Sequence, residues 1–495
     1  MLKFFVKAIF FSVLVLGLIA FSSRFFLNKE NLQSIKSKEH RSDREDIAIA
    51  FFGSSHAYTA FDPRVFENEI KAKSFNYGAP VQNLMVTLPV IEEAITKRNI
   101  RLGVVDIFQS TIMEPPFNER VASFQYSTLD YMDISLGKIE VHNRLYGRQN
   151  VLNVFPAIRE HALWKDRFFM PGFFLKRNDD YYQGFKTQMY FDKKSWVKNT
   201  SGKETFATPQ IIQSQKLSEG QKEVIDNVIG LFKEKNVPLI FVSAPIHRRY
   251  MNNKYYTYLE LIKAHCKEKG VAYIDYNDLW DELNLHLYDF ADISHLNSSG
   301  ALKVSEHLAN YIKEHYEALE DPQTVKDEKL MANRYYHIDT SFEYALGHKR
   351  IVNNGIRKKT GIHEIAVFKD AYERLEIVLA GDSLKDIQFN LVYEMPLYET
   401  RNIPPSVSNR IIGNKYAQRA FLPEMKQNST YTGFRYKGKE FKVVLADCPF
   451  TEINDLKILV GDTIPATQVL KIDHLELKES RPTIFQKTVG VKISN

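Results

Sequence analysis

The chain has 495 residues, of which 44% are hydrophobic and 25% charged, with a net charge of +6 and only two cysteines. That is ordinary globular composition, with room for roughly two or three domains. No lysine/arginine block is interleaved with aromatics, which argues against nucleic acid as a partner, and two cysteines make neither a disulfide framework nor a zinc site.

The first element, "MLKFFVKAIFFSVLVLGLIAFSS", has Lys3 and Lys7 ahead of an apolar run. Counted from Phe4 to Phe21 it reaches the length of a short membrane span, with Lys7 able to snorkel. "LIAFSS" is a poor cleavage site, so the segment (residues 1–22) reads as an uncleaved anchor, with a cleaved signal peptide as the alternative. Either way the remainder is exported, anchored in the cell envelope in the first case and secreted in the second. The polar stretch 23–45 reads as a stalk.

Next comes "IAIAFFGSSHAYTAFDP", Ile47 to Pro63, an apolar run that enters Gly53 and two adjacent serines. Gly-Ser-Ser is ordinary turn chemistry at a strand end. It is equally what a nucleophile displayed at the carboxyl edge of a parallel sheet requires. Asp62 then predicts an N-cap, with Pro63 at the first helical position. "KSFNYG" and "LGVVDIF" read as strands, separated by the helix "VQNLMVTLPVIEEAITKRN". Helix–strand alternation resumes at "LSEGQKEVIDNVIGLFKEKN", "VPLIFVSAP", "YYTYLELIKAHCKEKG" and "VAYIDY". This rhythm predicts an α/β fold, a parallel sheet flanked by helices, over residues 46–320.

Residues 110–215 lack that rhythm and form a long insertion, read either as a lid or as a helical subdomain. After a polar linker at 321–334, short alternating β-branched runs such as "LEIVLAG" and "FKVVLAD" predict an all-β sandwich over 335–495. Cys266 and Cys448 fall in these different regions and read as buried thiols.

Late in the α/β region, "YDFADISHLNSSGALKVSEHLA" sets Asp292 three residues before His295, ahead of a helix expected to be capped by Ser298 or Ser299. At this spacing the two side chains can reach one site, with His295 as general base and Asp292 fixing its tautomer. The loop follows the last strand, on the sheet edge that carries Gly53-Ser54-Ser55. His56, beside the serines, reads either as a residue that lines the site or as a packed turn histidine. His247, Arg248 and Arg249 of "SAPIHRRY" end another strand on the same edge and could meet an anionic glycan. Asp106 reads as a supporting group or a turn residue.

"FFGSSHAY", "FNYGAPVQNL" and "DISHLNSSGALKVSEHLA" resemble the first, second and last motif blocks of the SGNH/GDSL hydrolase superfamily, over roughly residues 46–317. The resemblance implies an SGNH-like fold, Ser55 rather than Ser54 as nucleophile, and an Asp292–His295 acid–base pair. It also implies an oxyanion hole built from the Ser55 and Gly78 N–H groups. Two features depart from the family pattern. Ser54 stands where the family has aspartate, and the third-block asparagine has no clear match, Gln109 and Ser110 being nearest. The G-S-S variant with an anchor and insertion is similar to the membrane-anchored branch that includes alginate O-acetylation proteins and the D-alanyl-lipoteichoic acid transfer protein. It implies a serine acyl esterase or O-acyltransferase, with acetyl as the expected acyl group, acting on an extracytoplasmic polysaccharide through an acyl-serine intermediate. A membrane-bound O-acyltransferase is the implied partner, and neither metal nor cofactor is required. The alternative is a non-catalytic glycan-binding or envelope-assembly protein with a degenerate SGNH domain and a glycan-binding β-sandwich.

Overall fold

The computed structural model describes residues 1–26, 47–112, 122–132, 136–165, 181–186, 209–283, 285, 289–317 and 319. Beyond these it describes 350–369, 374–382, 384, 389–396, 408–412, 416–421, 430–436, 439–447, 452–460, 467–476, 489–490 and 492–494. The stalk beyond Phe26, the linker and Cys448 lie outside the described residues.

Five parallel strands form the central sheet: β1 (Ile49–Phe52), β2 (Ser74–Asn76), β3 (Leu102–Asp106), β6 (Leu239–Ser243) and β7 (Ala272–Asp275). Their order is β2-β1-β3-β6-β7. Strand order reverses between β1 and β3, the switch point at whose carboxyl edge open α/β sheets bind ligands.

β1 is apolar without interruption because both of its faces are covered. Ile49 and Phe51 enter a core with α2 (Ser55–Ala60), α3 (Pro63–Glu69) and α10 (Ser298–His315). Ala50 and Phe52 point the other way, into a core with α4 (Leu84–Lys97), α8 (Glu219–Glu234) and α9 (Asn253–Glu268). Caps begin these helices where the sequence places them. Asp62 accepts from the Arg64 N–H at 3.1 Å. Ser218 and Gln221 form a capping box on α8. For α10 the expectation fails: Asn297, not Ser298 or Ser299, receives the Gly300 N–H at 3.3 Å, since both serines already lie inside the helix.

The described part of the insertion is largely helical: α5 (Ala122–Leu129), α6 (Leu136–Tyr146), a 3-10 segment (Arg148–Val154) and α7 (Pro156–Arg159). These helices are short, and α5 concentrates its apolar residues on no single face, so periodicity does not reveal them. A two-strand hairpin, β4 (Tyr181–Tyr182) with β5 (Phe185–Lys186), closes the β2 edge, where the Asn76 N–H donates to the Gln183 carbonyl at 2.9 Å.

The N-terminal helix α1 (Leu2–Ser23) is apolar and long enough to cross a membrane or serve as a signal sequence. The expected stalk does not begin at its end. Ser23 and Phe26 are buried, and α1 packs on α7.

The C-terminal residues build two antiparallel sheets. One, ordered β14-β15-β10-β9-β18, contains β9 (Ile362–Lys369), β10 (Arg374–Gly381), β14 (Thr430–Tyr436), β15 (Lys439–Asp447) and β18 (Val489–Gly490), with β8 (Arg350–Ile351) beside β9. The other, ordered β12-β13-β11-β16-β17-β19, contains β11 (Phe389–Pro396), β12 (Ser408–Ile412), β13 (Tyr416–Phe421), β16 (Glu452–Val460), β17 (Thr467–Glu476) and β19 (Lys492–Ser494).

Candidate active site

The site is built on the turn that leaves β1. Gly53 has φ +139°, a conformation that side chains rarely adopt, and a Cβ there would stand 3.0 Å from both the Cβ and the carbonyl oxygen of Asp106. Only glycine lets the chain pass so close to the end of β3. Ser54 follows as the N-cap of α2, its hydroxyl accepting the His56 N–H at 3.3 Å, and it is buried. Ser55 is the first residue of α2 and is half-buried, so its hydroxyl is the more accessible of the two.

His295 Nε2 lies 2.7 Å from Ser55 Oγ. On the far side of the ring, His295 Nδ1 lies 2.8 and 3.0 Å from the two carboxylate oxygens of Asp292. Asp292 is itself fixed, its Oδ1 accepting the N–H groups of Ser294 at 2.8 Å and His295 at 2.9 Å. Burial alone would raise the Asp292 pKa, but the hydrogen bond and charge of His295 and these two N–H donors outweigh it and bring it down to about 2. Asp292 is therefore ionised at neutral pH. A histidine that gives its Nδ1 hydrogen to a carboxylate presents a free Nε2 lone pair to the serine hydroxyl, the arrangement that lets a serine lose its proton as it attacks.

Asn76, at the end of β2, was not singled out in the sequence. Its Nδ2 donates to the carbonyls of Ala57 at 2.8 Å and Phe61 at 3.1 Å, and its Oδ1 accepts the Gly78 N–H at 3.0 Å. It thus clamps α2 to the Gly78 turn. The only sequence signal was an amide at the end of a short strand. A Cβ on Gly78 would come within 2.8 Å of the Ser54 carbonyl oxygen, so this turn approaches the serine turn closely. Because the Gly78 N–H is already donated to Asn76, it could meet an oxyanion only by sharing that hydrogen. The Ser55 N–H, at the start of a helix, has no intrahelical acceptor.

His56 is buried between two rings, 3.8 Å from Phe108 and 4.9 Å from His295 between ring centroids. Burial, then the neighbouring His295, holds its pKa well below the ordinary value, so it is neutral. It packs against His295 rather than facing solvent. Asp106 is buried under the Gly53–Ser54 turn, its Oδ1 accepting the Ala244 N–H at 2.9 Å. Burial pushes its pKa up to about 7, and hydrogen bonds from Ala244 and Ser54 offset this only in part.

The remaining candidates are held elsewhere. His247 is buried edge-on against Trp280 and Phe290. Arg248 pairs with Asp281 at 3.0 Å and lies over the Trp280 ring. The His247 side chain thus packs inward, its backbone N–H donating to the Ile293 carbonyl at 3.2 Å, while Arg248 stays partly exposed. The side chains of Arg249, Gln109 and Ser110 lie outside the described residues. Among the described residues no group of three or more His, Cys, Asp or Glu could hold a metal ion. Cys266 is a buried free thiol, its pKa raised by burial to about 12, and has no part in the site.

No protein-family model matches the chain, and no curated protein matches it. Among solved structures, a candidate acylhydrolase from Bacteroides fragilis NCTC 9343 is 10% identical with a TM-score of 0.29, over 57% of this chain and 95% of that one. A gut microbial diltiazem-metabolizing enzyme is 11% identical with a TM-score of 0.18, over 68% of this chain and 57% of that one. Likenesses this slight carry no argument, and the function rests on the geometry of the site.

Proposed function

We propose that this chain is an SGNH-type serine acyl esterase or O-acyltransferase that works on an extracytoplasmic polysaccharide through an acyl-serine intermediate. The observation that carries the reading is the unbroken relay from Ser55 Oγ through His295 to Asp292. Ser55 Oγ attacks the acyl carbonyl as its proton passes to His295 Nε2, and the imidazolium is held by ionised Asp292. The oxyanion develops beside the Ser55 N–H, with the Gly78 N–H as second donor once it is shared from Asn76. His295 then protonates the departing group of the acyl donor, which is the sugar oxygen when an acylated glycan is hydrolysed. Water or a sugar hydroxyl, deprotonated by His295, attacks the acyl-enzyme and frees Ser55. Hydrolysis and transfer differ only in that second nucleophile.

In this reading α1 is a retained anchor that holds the site outside the cytoplasm, next to a membrane-bound acyl donor. Residues 46–320 form the catalytic domain. The two C-terminal sheets form a separate β-sandwich over 335–495 that binds glycan. The test is the purified full-length protein on a chromogenic acetyl ester, with and without an acetylatable glycan. Ester turnover that disappears in Ser55→Ala supports the enzyme. Glycan binding with no turnover of any ester would favour the degenerate, non-catalytic protein.

A further inference from the structure

The end of α1 is seated on the insertion through one residue. Ser23 Oγ accepts the Ala157 N–H at 3.2 Å and donates to the Ile19 carbonyl at 2.8 Å. The carbonyl of the same Ala157 accepts the Trp164 indole N–H at 2.5 Å. Trp164 is thereby fixed one residue away from the point where α1 ends.

α1 has 22 residues, which at 1.5 Å per residue is ~33 Å, close to the ~30 Å of a bilayer's hydrocarbon core. If its apolar length lies in hydrocarbon, Ser23 emerges at the lipid–water boundary, and Ala157 and Trp164 with it. The side chains there suit that level. Trp164 is 48% exposed although its one polar atom is already bonded, so what it leaves uncovered is apolar ring. Leu163 is 38% exposed beside it, and Leu152, in the 3-10 segment that packs on α7, is 54% exposed. Beyond α1 along the chain, seven large apolar side chains are exposed among the described residues, and six of them fall in the insertion: these three with Phe124, Leu136 and Ile211. Arg148 and Lys165 are exposed close by in sequence and carry the charge that anionic headgroups attract. Tryptophan with flanking basic residues is the composition of the membrane interface.

We propose that Leu152, Leu163 and Trp164 form a lipid-contacting face, so that the insertion rests in the interfacial layer at the foot of α1. This rests on the reading of α1 as a retained span. The catalytic domain then takes a set orientation to the membrane instead of swinging on a stalk.

The test uses full-length protein in nanodiscs of phosphatidylcholine and phosphatidylglycerol, with and without lipids brominated near the headgroup end of their chains. In a Trp196→Phe background, tryptophan emission should be quenched by the bromolipid, and Trp164→Phe should lose most of that quenching, because the one tryptophan then left, Trp280, is buried. Leu152→Trp should add quenching. If either folded variant behaves as the wild type does, the lipid face is wrong, including the case where the surface serves a protein partner. Leu152→Trp alters an exposed position and decides the matter by itself if Trp164→Phe does not fold. A chain that fails to remain with the nanodiscs overturns the span and the face together.

Discussion

The rings of His56 and His295 stack 4.9 Å apart at an interplanar angle of 26°, two histidines in contact with only one of them bonded to Ser55. His56 is held neutral by burial and by its neighbour, and Asp292 stays ionised down to about pH 2. A neutral His56 adds no charge of its own to the site. His56→Phe should therefore keep activity within roughly tenfold of wild type and leave the shape of log kcat/KM against pH unchanged, because an aromatic ring is kept and only a neutral group is removed. A pH profile altered in His56→Phe would show that His56 takes up a proton in the working range.

The assignment of the nucleophile separates two neighbouring serines. Ser55→Ala and His295→Ala should each lower ester turnover by roughly 10⁴-fold or more, and the double variant should be little worse than either, because the two act as a unit. Ser54→Ala loses the cap and the hydrogen bond to Asp106, about 1–2 kcal/mol of stability, and should keep most activity. An inactive Ser54→Ala beside an active Ser55→Ala would reverse the assignment.

At Gly78 an added methyl would press on the Ser54 carbonyl, Ala57 Cβ and Asn76 Oδ1, all within 3.0 Å. Gly78→Ala must therefore displace the serine turn. Activity should fall on the order of 10²-fold, mainly in kcat, as expected for a small misplacement of reacting groups. Asn76→Ala should instead show in stability, with a loss of about 1–3 kcal/mol in chemical denaturation, because it removes three buried hydrogen bonds, although the Ala57 carbonyl keeps the Phe61 N–H. Wild-type kinetics in Gly78→Ala would mean that the turn gives way elsewhere.

Asp106 makes stability depend on pH in an unusual direction. Its pKa is near 3.8 as the ordinary value and about 7 in the fold, so the folded chain holds this proton more tightly than the unfolded chain. Its contribution is greatest below the unfolded pKa and is lost as pH rises toward 7. Asp106→Asn removes the titration and keeps an oxygen for the Ala244 N–H. Its melting temperature relative to wild type should rise between pH 4.5 and pH 8. A difference that stays constant, or falls, would show that the carboxyl ionises in the fold without penalty.

The amino-acid sequence by itself determined what is local. β1 runs apolar into Gly53, Asp62 and Pro63 start a helix, and Asp292 and His295 sit three apart in one loop, because periodicity, caps and short spacings act within a few residues. The all-β texture of the C-terminal part is legible for the same reason. The tertiary structure decided which serine meets the histidine, across a separation of 240 residues. It also turned His247 inward, stacked His56 on the base, made Asn76 a clamp and seated Ser23 on Ala157. Each of these depends on strand order and on how turns from distant segments pack at one sheet edge. That information belongs to no single stretch of chain, since side chains of the same type at the same spacing could equally have faced solvent.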